Sequence, residues 1–456
     1  MTTIDRFAQT ERERVLDELK ALLAIPSIST DPTHAGDCRH AAEWLGDHLR
    51  ALGCPKIEYL ASETHPVVYA EGPPAPGRPT VLVYGHYDVQ PPDPLEEWTS
   101  PPFEATIRGG DLFARGATDD KGQVFAVVKA FEAMLHAGPP AVNVRFLIEG
   151  QEESGSKVLF KLLDEQPELV DVDAALVADT SYYAPGIPAF ETGLRGMCYA
   201  EIAVRTLKTD LHSGLFGGVA PNAHETLVRI LAGLKGADGK IKIPGLYEAV
   251  RRPSKRERDA WNKLPFNQRR YLKEEVGAKA LTGRKQYSVF ERLWGQPTLD
   301  IHGIMGGFTG EGAKTVIPAV AKAKVSLRLV PAQKEKTVLK QLTRAVKALA
   351  PTWADVSITS LHGADPVLVD IDAPAFDVMG RAFEEVEGRR PVVVRNGGSI
   401  PIVPALGKRG APVLLAGLGL PDDRLHAPDE KITVEQVFNG IRVYARFFRY
   451  LGGETS

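Results

Sequence analysis

Acidic and histidine side chains follow a series of short apolar segments in this sequence. The candidates are His86 and Asp88 in "TVLVYGHYDVQ", Asp119 and Asp120 in "ARGATDDKG", Glu152 and Glu153 in "FLIEGQEESGS", Asp179 in "LVADT" and His426 in "LPDDRLHAPDE". Histidine nitrogens and carboxylate oxygens are common ligands of divalent metal ions, and carboxylates also act as general bases. Two histidines with three or more carboxylates carry more negative charge than one ion needs. Such a set matches two ions bridged by a carboxylate.

The pair His86 and Asp88 and the pair Glu152 and Glu153 are predicted to be arranged differently. Successive side chains of a strand point to opposite faces, so residues i and i+2 point together. His86 and Asp88 therefore lie on one side, where Asp88 can hold the second imidazole nitrogen while the first binds a metal ion. Glu152 and Glu153, if their segment is extended, point to opposite sides. One of them can then ligate a metal ion while the other handles protons.

Each of these residues also has an ordinary structural interpretation. A single histidine at a strand end is usually a hydrogen-bonded residue without a metal ion. Asp119 and Asp120 could cap a helix, and the two glutamates could lie in a solvated turn. Asp179 and His426 could be polar loop residues. Ligands gather at the carboxyl ends of strands in open α/β sheets, so the convergence of all these residues at one sheet edge favours the metal site.

Apolar strands alternate with amphipathic helices on both sides of a central segment that has a different pattern. The alternation predicts an α/β fold, with a mixed, mostly parallel sheet flanked by helices. Within residues 194–369 the order is β-α-β-β-α-β, which is the ferredoxin-like arrangement, interrupted by a charged helical insertion at about 246–295. We therefore expect a first domain built from residues 1–193 and 370–456, with an α+β domain of residues 194–369 inserted into it.

Other polar residues are interpreted as structural. Thr433 and Gln436 have the spacing of a capping box at the start of the last predicted helix. Surface or capping roles are assigned to a set of histidines without a comparable setting, namely His34, His40, His48, His65, His136 and His362. The charged run "RRPSKRERD" is interpreted as a solvated helical face rather than a binding patch.

The composition is typical of a folded protein of enzyme size. The chain has 456 residues, of which 43% are hydrophobic and 25% charged, with a formal net charge of -3. This charge provides no basic field for a phosphate backbone, so nucleic acid is not an expected partner. The polar beginning "MTTIDRFAQTERERVL" lacks the apolar core of a signal peptide, and no apolar run is long enough to cross a bilayer. We expect a cytoplasmic protein without a membrane partner, whose three cysteines are reduced and structural.

Taken together, the motifs of the chain resemble those of the M20 metallopeptidase family, in particular its cytosolic dipeptidase and carnosinase-like branch. The resemblance spans nearly the whole sequence. It is carried by "GHYDVQP", "RGATDDKGQ", "EGQEESGS", "DLHSGLFGG", "GAKTVIP", "SLRLVP", "GGSIP" and "HAPDE", which occur in the family's order. One motif departs from the pattern, because "HAPDE" has Asp429 where many members have Asn.

The resemblance implies a site with two divalent metal ions. One ion would be held by His86, Asp119 and Asp179, and the other by Asp119, Glu153 and His426, so that Asp119 bridges. Zinc is the first expectation, and manganese or cobalt would fit the same mixed ligands. The resemblance also implies that Asp88 orients His86, that Glu152 acts as general base and acid, and that the peptide bond between Asp119 and Asp120 is cis.

The inserted domain resembles the family's lid and dimerisation domain. This resemblance implies a homodimer in which His212 of "DLHSGLFGG" reaches the site of the partner subunit and stabilises an oxyanion. Strand alternation in "AKAKVSLRLV" places Arg328 on the polar face, free to meet a ligand. The motif match suggests that Arg328 grips the C-terminal carboxylate of a peptide, with help from Ser399 and Gly398 of "GGSIP".

The predicted function is hydrolysis of dipeptides or short peptides that have a free C-terminal carboxylate, by water held between two metal ions. Asp179 supports the dipeptidase branch, because carboxypeptidase-type members generally have Glu at that position. One alternative is an amidohydrolase for N-acyl or N-succinyl amino acids, because the same metal site cleaves either amide. A second alternative is a noncatalytic protein that retains metal ions and binds peptides, although binding alone needs no general base such as Glu152.

Overall fold

The computed structural model describes residues 2–397, 400 and 402–454. The chain divides into two compact units. Unit 1 contains the residues up to Thr192, the segment Val369–Val394 and the residues from Ile400 onward, and unit 2 contains Gly193–Leu368 and the segment that begins at Arg395. The division falls beside the expected boundaries at 193/194 and 369/370. The lid and dimerisation roles expected for unit 2 stay predictions.

Helices and strands alternate along unit 1 and recur in a second pattern in unit 2. The α-helices are α1 (Thr3–Thr10), α2 (Arg12–Leu23), α3 (Ala35–Ala51), α4 (Lys121–His136), α5 (Lys157–Glu165), α6 (Ser213–Phe216), α7 (Ala223–Leu234), α8 (Lys255–Asn262), α9 (Gln268–Arg270), α10 (Val289–Trp294), α11 (Glu335–Leu349), α12 (Pro374–Glu387), α13 (Val403–Leu406) and α14 (Val434–Leu451). The strands are β1 (Lys56–Leu60), β2 (Val67–Glu71), β3 (Thr80–His86), β4 (Thr106–Arg108), β5 (Asp111–Phe113), β6 (Asn143–Glu149), β7 (Ala174–Val177), β8 (Ala189–Leu194), β9 (Gly196–Arg205), β10 (Leu211–His212), β11 (Thr298–Gly306), β12 (Val316–Ile317), β13 (Val320–Leu329), β14 (Asp355–Ala364), β15 (Val367–Leu368), β16 (Val392–Asn396), β17 (Val413–Leu415) and β18 (Lys431–Thr433).

The main sheet of unit 1 has the strand order β1-β2-β6-β3-β7-β17. Strands β6, β3, β7 and β17 run parallel to one another, whereas β2 pairs antiparallel with both β6 and the edge strand β1. The central strand β3 is an apolar run that is buried along nearly its whole length, as expected of a parallel strand covered on both faces. Helix α4 is also almost entirely buried, and α14 packs against it. The predicted mixed, mostly parallel sheet flanked by helices is confirmed.

Unit 2 contains the predicted ferredoxin-like arrangement. Its antiparallel sheet has the order β11-β13-β9-β14, which is 4-1-3-2 when read from β14. Helices α7 and α11 pack on one face and share an apolar core with it. Strand β13 alternates as predicted, because Ala323, Val325 and Leu327 enter that core while Arg328 lies on the opposite face, half-buried. The charged insertion contains the short helices α8, α9 and α10.

Helix α14 begins where the sequence predicts, but its predicted capping box is wrong. Thr433 is the residue before the helix, and its side chain accepts no hydrogen bond from the first turn. The Thr433 hydroxyl instead donates to Asp111 Oδ1 at 2.7 Å, and the Gln436 amide donates to the Leu418 carbonyl at 3.4 Å. Pairing of β18 with β5 places Asp111 opposite Thr433 and so provides the competing acceptor. Among the described residues, no helix has the length and apolar character needed to cross a membrane.

Candidate metal centre and active site

Three parallel strands of unit 1 end at the same edge of the sheet. His86 closes β3 and pairs in register with Glu149, the last residue of β6, while Tyr84 pairs with Val177, the last residue of β7. Asp179 follows β7 by two residues, and the turn that contains Glu152 follows β6. The parallel register therefore brings the polar segments that follow these strands to one place, which is the usual ligand site of an open α/β sheet.

His86, Asp119 and Asp179 form a first group of metal-ligating type. Their candidate ligand atoms lie within 4.8 Å of one another. His86 Nε2 is 3.1 Å from Asp119 Oδ1 and 3.8 Å from Asp179 Oδ2. The His86 side chain is fully buried, so its imidazole is held in a fixed position against the two carboxylates.

Asp119, Glu153 and His426 form a second group, also within 4.8 Å. His426 Nε2 is 2.9 Å from Asp119 Oδ2 and 3.4 Å from Glu153 Oε1. Asp119 thus directs one oxygen to each group, as a bridging ligand must. Burial alone would raise the pKa of Asp119, but hydrogen bonds with His426 and His86 hold it below its ordinary value. His426 itself has a left-handed backbone, with φ 58°, which turns its ring toward the shared carboxylate.

Asp88 fixes the orientation of His86 mainly through its main chain. The His86 Nδ1 atom lies 3.0 Å from the Asp88 carbonyl oxygen and 3.4 Å from the Asp88 carboxylate. Because a carbonyl only accepts, Nδ1 carries the proton, and in the neutral ring Nε2 is left as an acceptor toward the metal groups. The Asp88 carboxylate accepts hydrogen bonds from the Ser29 hydroxyl at 2.6 Å and from the amides of Glu152 and Glu153 at 3.2 and 3.1 Å.

The two glutamates lie in a 3₁₀ turn, Glu152–Ser154, and not in an extended segment. Alternation along a strand therefore does not explain how they differ. Glu153 enters the second group and its Oε2 accepts from the Gln90 amide at 2.7 Å, whereas Glu152 belongs to neither group of the described residues. Burial is the main reason why the pKa of Glu152 is raised to about 8. A carboxylate beside the metal-ligating groups but outside them is suited to proton transfer.

A buried carboxylate at the other end of the chain positions the loop of Asp119. The peptide bond between Asp119 and Asp120 is cis, as the resemblance implies. Glu430 Oε1 accepts from the amides of Thr118 and Asp119, each at 3.0 Å, and its Oε2 accepts from the Gly116 amide at 3.0 Å. Glu430 was not predicted as a site residue, although it lies within the "HAPDE" motif.

The donor set fits two divalent cations. Three carboxylates meet in a largely buried place, those of Asp119, Asp179 and Glu153. The Oε1 atom of Glu153 is buried and has no hydrogen-bond donor among the described residues. Burial and the charges of Asp120 and Asp119 raise the pKa of Asp179 well above its ordinary value. Burying like charges side by side is costly unless cations compensate them. Imidazole nitrogens and carboxylate oxygens in each group suit zinc, manganese or cobalt.

A third group, formed by Glu18, His48 and Glu132, is also close enough to hold an ion. Here the chain supplies its own cation, because Lys129 Nζ lies 2.6 Å from His48 Nε2 and 2.8 Å from Glu132 Oε2 and also pairs with Glu18. The surface or capping role assigned to His48 is therefore wrong. Its ring belongs to an ion network between α2, α3 and α4.

Unit 2 carries the remaining candidates. His212 lies on β10, which pairs with β12, and its Nδ1 accepts a hydrogen bond from the Gly214 amide at 3.0 Å. The neutral ring must then carry its proton on Nε2, so His212 is a ready donor. It lines a cleft of about 690 Å³ in unit 2 together with Lys208 and Lys314. The other two predicted substrate-binding residues, Gly398 and Ser399, lie outside the described residues.

The chain is similar in sequence and structure to known metallopeptidases. The chain is 32% identical to the Cys-Gly metallodipeptidase dug1 of Schizosaccharomyces pombe, over 97% of this chain and 96% of that protein. It is 35% identical to the Beta-Ala-His dipeptidase of Homo sapiens, over 97% and 90% of the two chains. The crystal structure of an M20 family metallo-carboxypeptidase, Sso-CP2 from Sulfolobus solfataricus, superposes with a TM-score of 0.87 at 30% identity, covering 96% of this chain and 99% of that one.

The family model for peptidase family M20/M25/M40 matches residues 82–450. This range begins within β3 and ends within α14, so it contains His86, Asp119, Asp179 and His426 as well as the whole of unit 2. The chain therefore belongs to peptidase family M20/M25/M40.

Proposed function

We propose that this protein is a metallodipeptidase that hydrolyses dipeptides or short peptides with a free C-terminal carboxylate. The observation that carries the proposal is the position of Asp119, whose two carboxylate oxygens face two separate groups of ligands, with Glu152 next to them and outside both. The names of the two relatives, a Cys-Gly metallodipeptidase and a Beta-Ala-His dipeptidase, support dipeptides as the substrate class.

The ligands divide between two ions. His86, Asp119 and Asp179 would hold one, and Asp119, Glu153 and His426 the other. Zinc is our first choice, and manganese or cobalt would suit the same donors. When bound, two such ions would polarise the scissile carbonyl and lower the pKa of a bound water molecule.

Glu152 is the residue to which we assign proton transfer. Its carboxylate accepts the proton of the attacking water and returns it to the leaving amine. The amide of Glu152 is bound by Asp88, whose carboxylate also holds Glu153, so the base is fixed relative to the second group of ligands. This shared anchor limits how far the backbone of Glu152 can move relative to that of Glu153.

Two residues of unit 2 would complete the site. His212, which carries its proton on Nε2, would donate to the oxyanion that forms on the attacked carbonyl, and we propose that it does so in the site of the partner subunit of a homodimer. The guanidinium of Arg328 would bind the substrate's C-terminal carboxylate, with Ser399 and Gly398 assisting. The protein would act in the cytoplasm on small peptides.

Reconstitution of the metal-free protein tests this proposal. Chelator-treated protein is supplied with zinc, manganese or cobalt and assayed on Cys-Gly and β-Ala-His, each with a free and an amidated C-terminus. The same panel contains N-acetyl and N-succinyl amino acids and one tripeptide. Metal-dependent cleavage of free dipeptides, with amides cleaved poorly, is the expected result. Cleavage of only the acylated amino acids would identify the amidohydrolase alternative, and no cleavage of any compound would identify a peptide-binding protein.

A further inference from the structure

Three aromatic rings form a parallel stack on the sheet of unit 2, on the face opposite α7 and α11. Tyr199 of β9 lies between His302 of β11 and His362 of β14. The ring centroids of Tyr199 and His302 are 5.1 Å apart with planes 11° apart, and those of Tyr199 and His362 are 5.0 Å apart with planes 13° apart. Stacking on both faces restricts rotation of the Tyr199 ring, and each imidazole lies nearly flat against it.

Both histidines reach the stack through irregularities in the strands. The register of β11 against β13 shifts between Ile301 and Gly303, which leaves His302 as the extra residue of a bulge. The register of β14 against β9 shifts between Ser360 and His362, and His362 then pairs with Tyr199. Bulges redirect side chains and are frequent next to active sites. Here the two bulges turn one histidine from each side toward the same tyrosine.

The two imidazoles differ in what their nitrogens contact. His302 Nε2 is held by the Ser326 hydroxyl at 2.8 Å, which anchors that end of the stack. His362 has no hydrogen-bond partner for either nitrogen within the part of the chain that the structure describes, and its side chain is exposed. The His362 ring is stacked on Tyr199, and its two nitrogens are available for a hydrogen bond to a ligand.

Positive charge lies beside the free end of the stack. Arg328 pairs with Met197, two residues before Tyr199 on the same face of β9. Ala364 of β14 also pairs with Met197, and His362 pairs with Tyr199, so Arg328 and His362 project from neighbouring positions on the same face of the sheet. Burial and the charge of Arg328 lower the pKa of Arg195 to about 10. The Nε atom of Arg195 is buried without an acceptor among the described residues. The carboxylate of Asp300 also acts on both guanidinium groups, so two positive charges face one negative charge and the balance favours an anion.

We propose that His362 is a second carboxylate-binding residue beside Arg328, and that Tyr199 and His302 are positioning residues that hold its ring. The inference rests on the proposed function, in which Arg328 receives the C-terminal carboxylate of a peptide. A carboxylate has two oxygens and up to four acceptor directions, so a guanidinium on one side leaves room for an imidazole N–H on the other. His362 is exposed, as predicted, and the proposal adds a binding role to its surface position.

Calorimetric titration on protein that binds without turnover tests this proposal. The zinc-loaded Glu152→Gln protein is titrated with Ala-Ala and with Ala-Ala amide, alone and combined with changes in the stack. His362→Phe keeps a flat ring on Tyr199 but removes the N–H donor, and it should weaken Ala-Ala binding roughly tenfold while leaving the affinity for the amide unchanged. Tyr199→Leu should weaken Ala-Ala binding in the same selective way, whereas Tyr199→Phe, which keeps the ring, should not.

The control is His40→Phe, which replaces an exposed histidine of α3 in unit 1 and should change neither affinity. The proposal would be overturned if His362→Phe changed the affinities for Ala-Ala and Ala-Ala amide equally, or changed neither. It would also be overturned if neither ligand bound the Glu152→Gln protein. A normal affinity in Tyr199→Leu would overturn the positioning role of the stack. Hydrolysis by the wild-type protein is measured separately. If it cleaves no dipeptide but still binds the acid through His362, the proposed function fails while the carboxylate site stands.

Discussion

The carboxylate of Glu430 accepts a hydrogen bond from the backbone amide of Asp119 at 3.0 Å, although 311 residues separate the two in the chain. Glu430 is completely buried and receives three further donors, the amides of Gly116 and Thr118 and the guanidinium of Arg115. One carboxylate from the C-terminal part of unit 1 thereby fixes the loop that presents Asp119, the proposed shared ligand. The conformation of the Asp119 loop therefore depends on the Glu430 carboxylate, and a metal ion could not replace it as a hydrogen-bond acceptor.

Replacement of Glu430 with Gln should destabilise the protein and weaken metal binding together. The amide nitrogen of Gln would face donors that need an acceptor, and Arg115 would lose its buried partner, at a cost of about 3–5 kcal/mol. Urea unfolding and metal content by mass spectrometry provide the measurements. Asp429→Asn is the matched control, because Asp429 caps the exposed amide of Thr99 and its loss should cost less. Unchanged stability in Glu430→Gln would contradict the assigned role.

Asp88→Asn should lower metal affinity by about 10- to 100-fold, the usual consequence of removing a residue that supports a metal ligand. The change leaves one acceptor oxygen for the amides of Glu152 and Glu153 and introduces a donor that opposes the other amide. Ser29→Ala removes only one hydrogen bond from the same carboxylate, so its effect should be smaller. Competition with a fluorescent chelator measures both variants. Equal affinities in the wild type and Asp88→Asn would show that the main-chain contact of Asp88 with His86 is sufficient.

Glu152→Gln should lower kcat by about 10²- to 10⁴-fold while both metal ions remain bound. The reason is that Glu152 lies in neither group of ligands, so only proton transfer is lost. Turnover and metal stoichiometry are measured on the same preparation. Full turnover with metals bound would remove Glu152 from the mechanism, and loss of metal would place it among the ligands.

The proposed exchange of His212 between subunits predicts a specific pattern of complementation. His212→Ala and Glu152→Gln should each be nearly inactive. When both are coexpressed, half of the dimers are mixed, and in each mixed dimer one site receives an intact Glu152 from its own chain and an intact His212 from the partner. About one quarter of the wild-type activity should therefore return. If His212 serves its own subunit, the mixture stays inactive.

The ion network around His48 predicts a loss of stability in acid. Burial, and then the charge of Lys129, lower the pKa of His48 to about 4, compared with about 6.5 in an unfolded chain. As the pH falls from 6.5 toward 4, the unfolded state binds a proton that the folded state does not. The free energy of unfolding should therefore decrease by about 2 kcal/mol at pH 5 from this residue, and above pH 6.5 the residue should have no effect.

His48→Gln should reduce that dependence, because its side-chain oxygen still accepts from Lys129 but does not titrate. Unfolding in urea at pH 7.5 and pH 5.0 measures the difference between the two proteins, with the fluorescence of Trp44, which stacks on His48 at 4.9 Å, as one signal. His40→Gln, on the exposed side of the same helix, should keep the wild-type dependence. An identical pH dependence in His48→Gln and the wild type would show that His48 is protonated in the folded state.

The sequence was informative where a residue lies at the end of a strand. His86 and Asp179 follow apolar runs, and the rule that parallel strands present their carboxyl ends at one edge groups them before any coordinates exist. The ferredoxin-like order of unit 2 followed from the same reading of apolar periodicity. The 3₁₀ turn of Glu152 and Glu153 could not be predicted in this way, because two neighbouring glutamates have no periodicity that distinguishes a turn from a strand.

Residues that act through distant contacts were missed. Glu430 works by accepting main-chain hydrogen bonds from a loop more than 300 residues away, and nothing in its local sequence marks that partner. His302 and His362 reach Tyr199 only because two strands shift by one residue, and a bulge has no composition of its own. His48 was judged by its neighbours in sequence, whereas Lys129 reaches it from another helix.

The distance in sequence between Asp119 and His426, 307 residues, also sets an order of events during synthesis. At about 5–20 residues per second, a ribosome needs roughly 15–60 s to pass from one codon to the other. His86, Asp119 and Asp179 are already made during this interval, while His426 and the loop anchor Glu430 are not. If His426 is a metal ligand as proposed, a nascent chain has no complete hydrolytic centre before residue 426 has been translated.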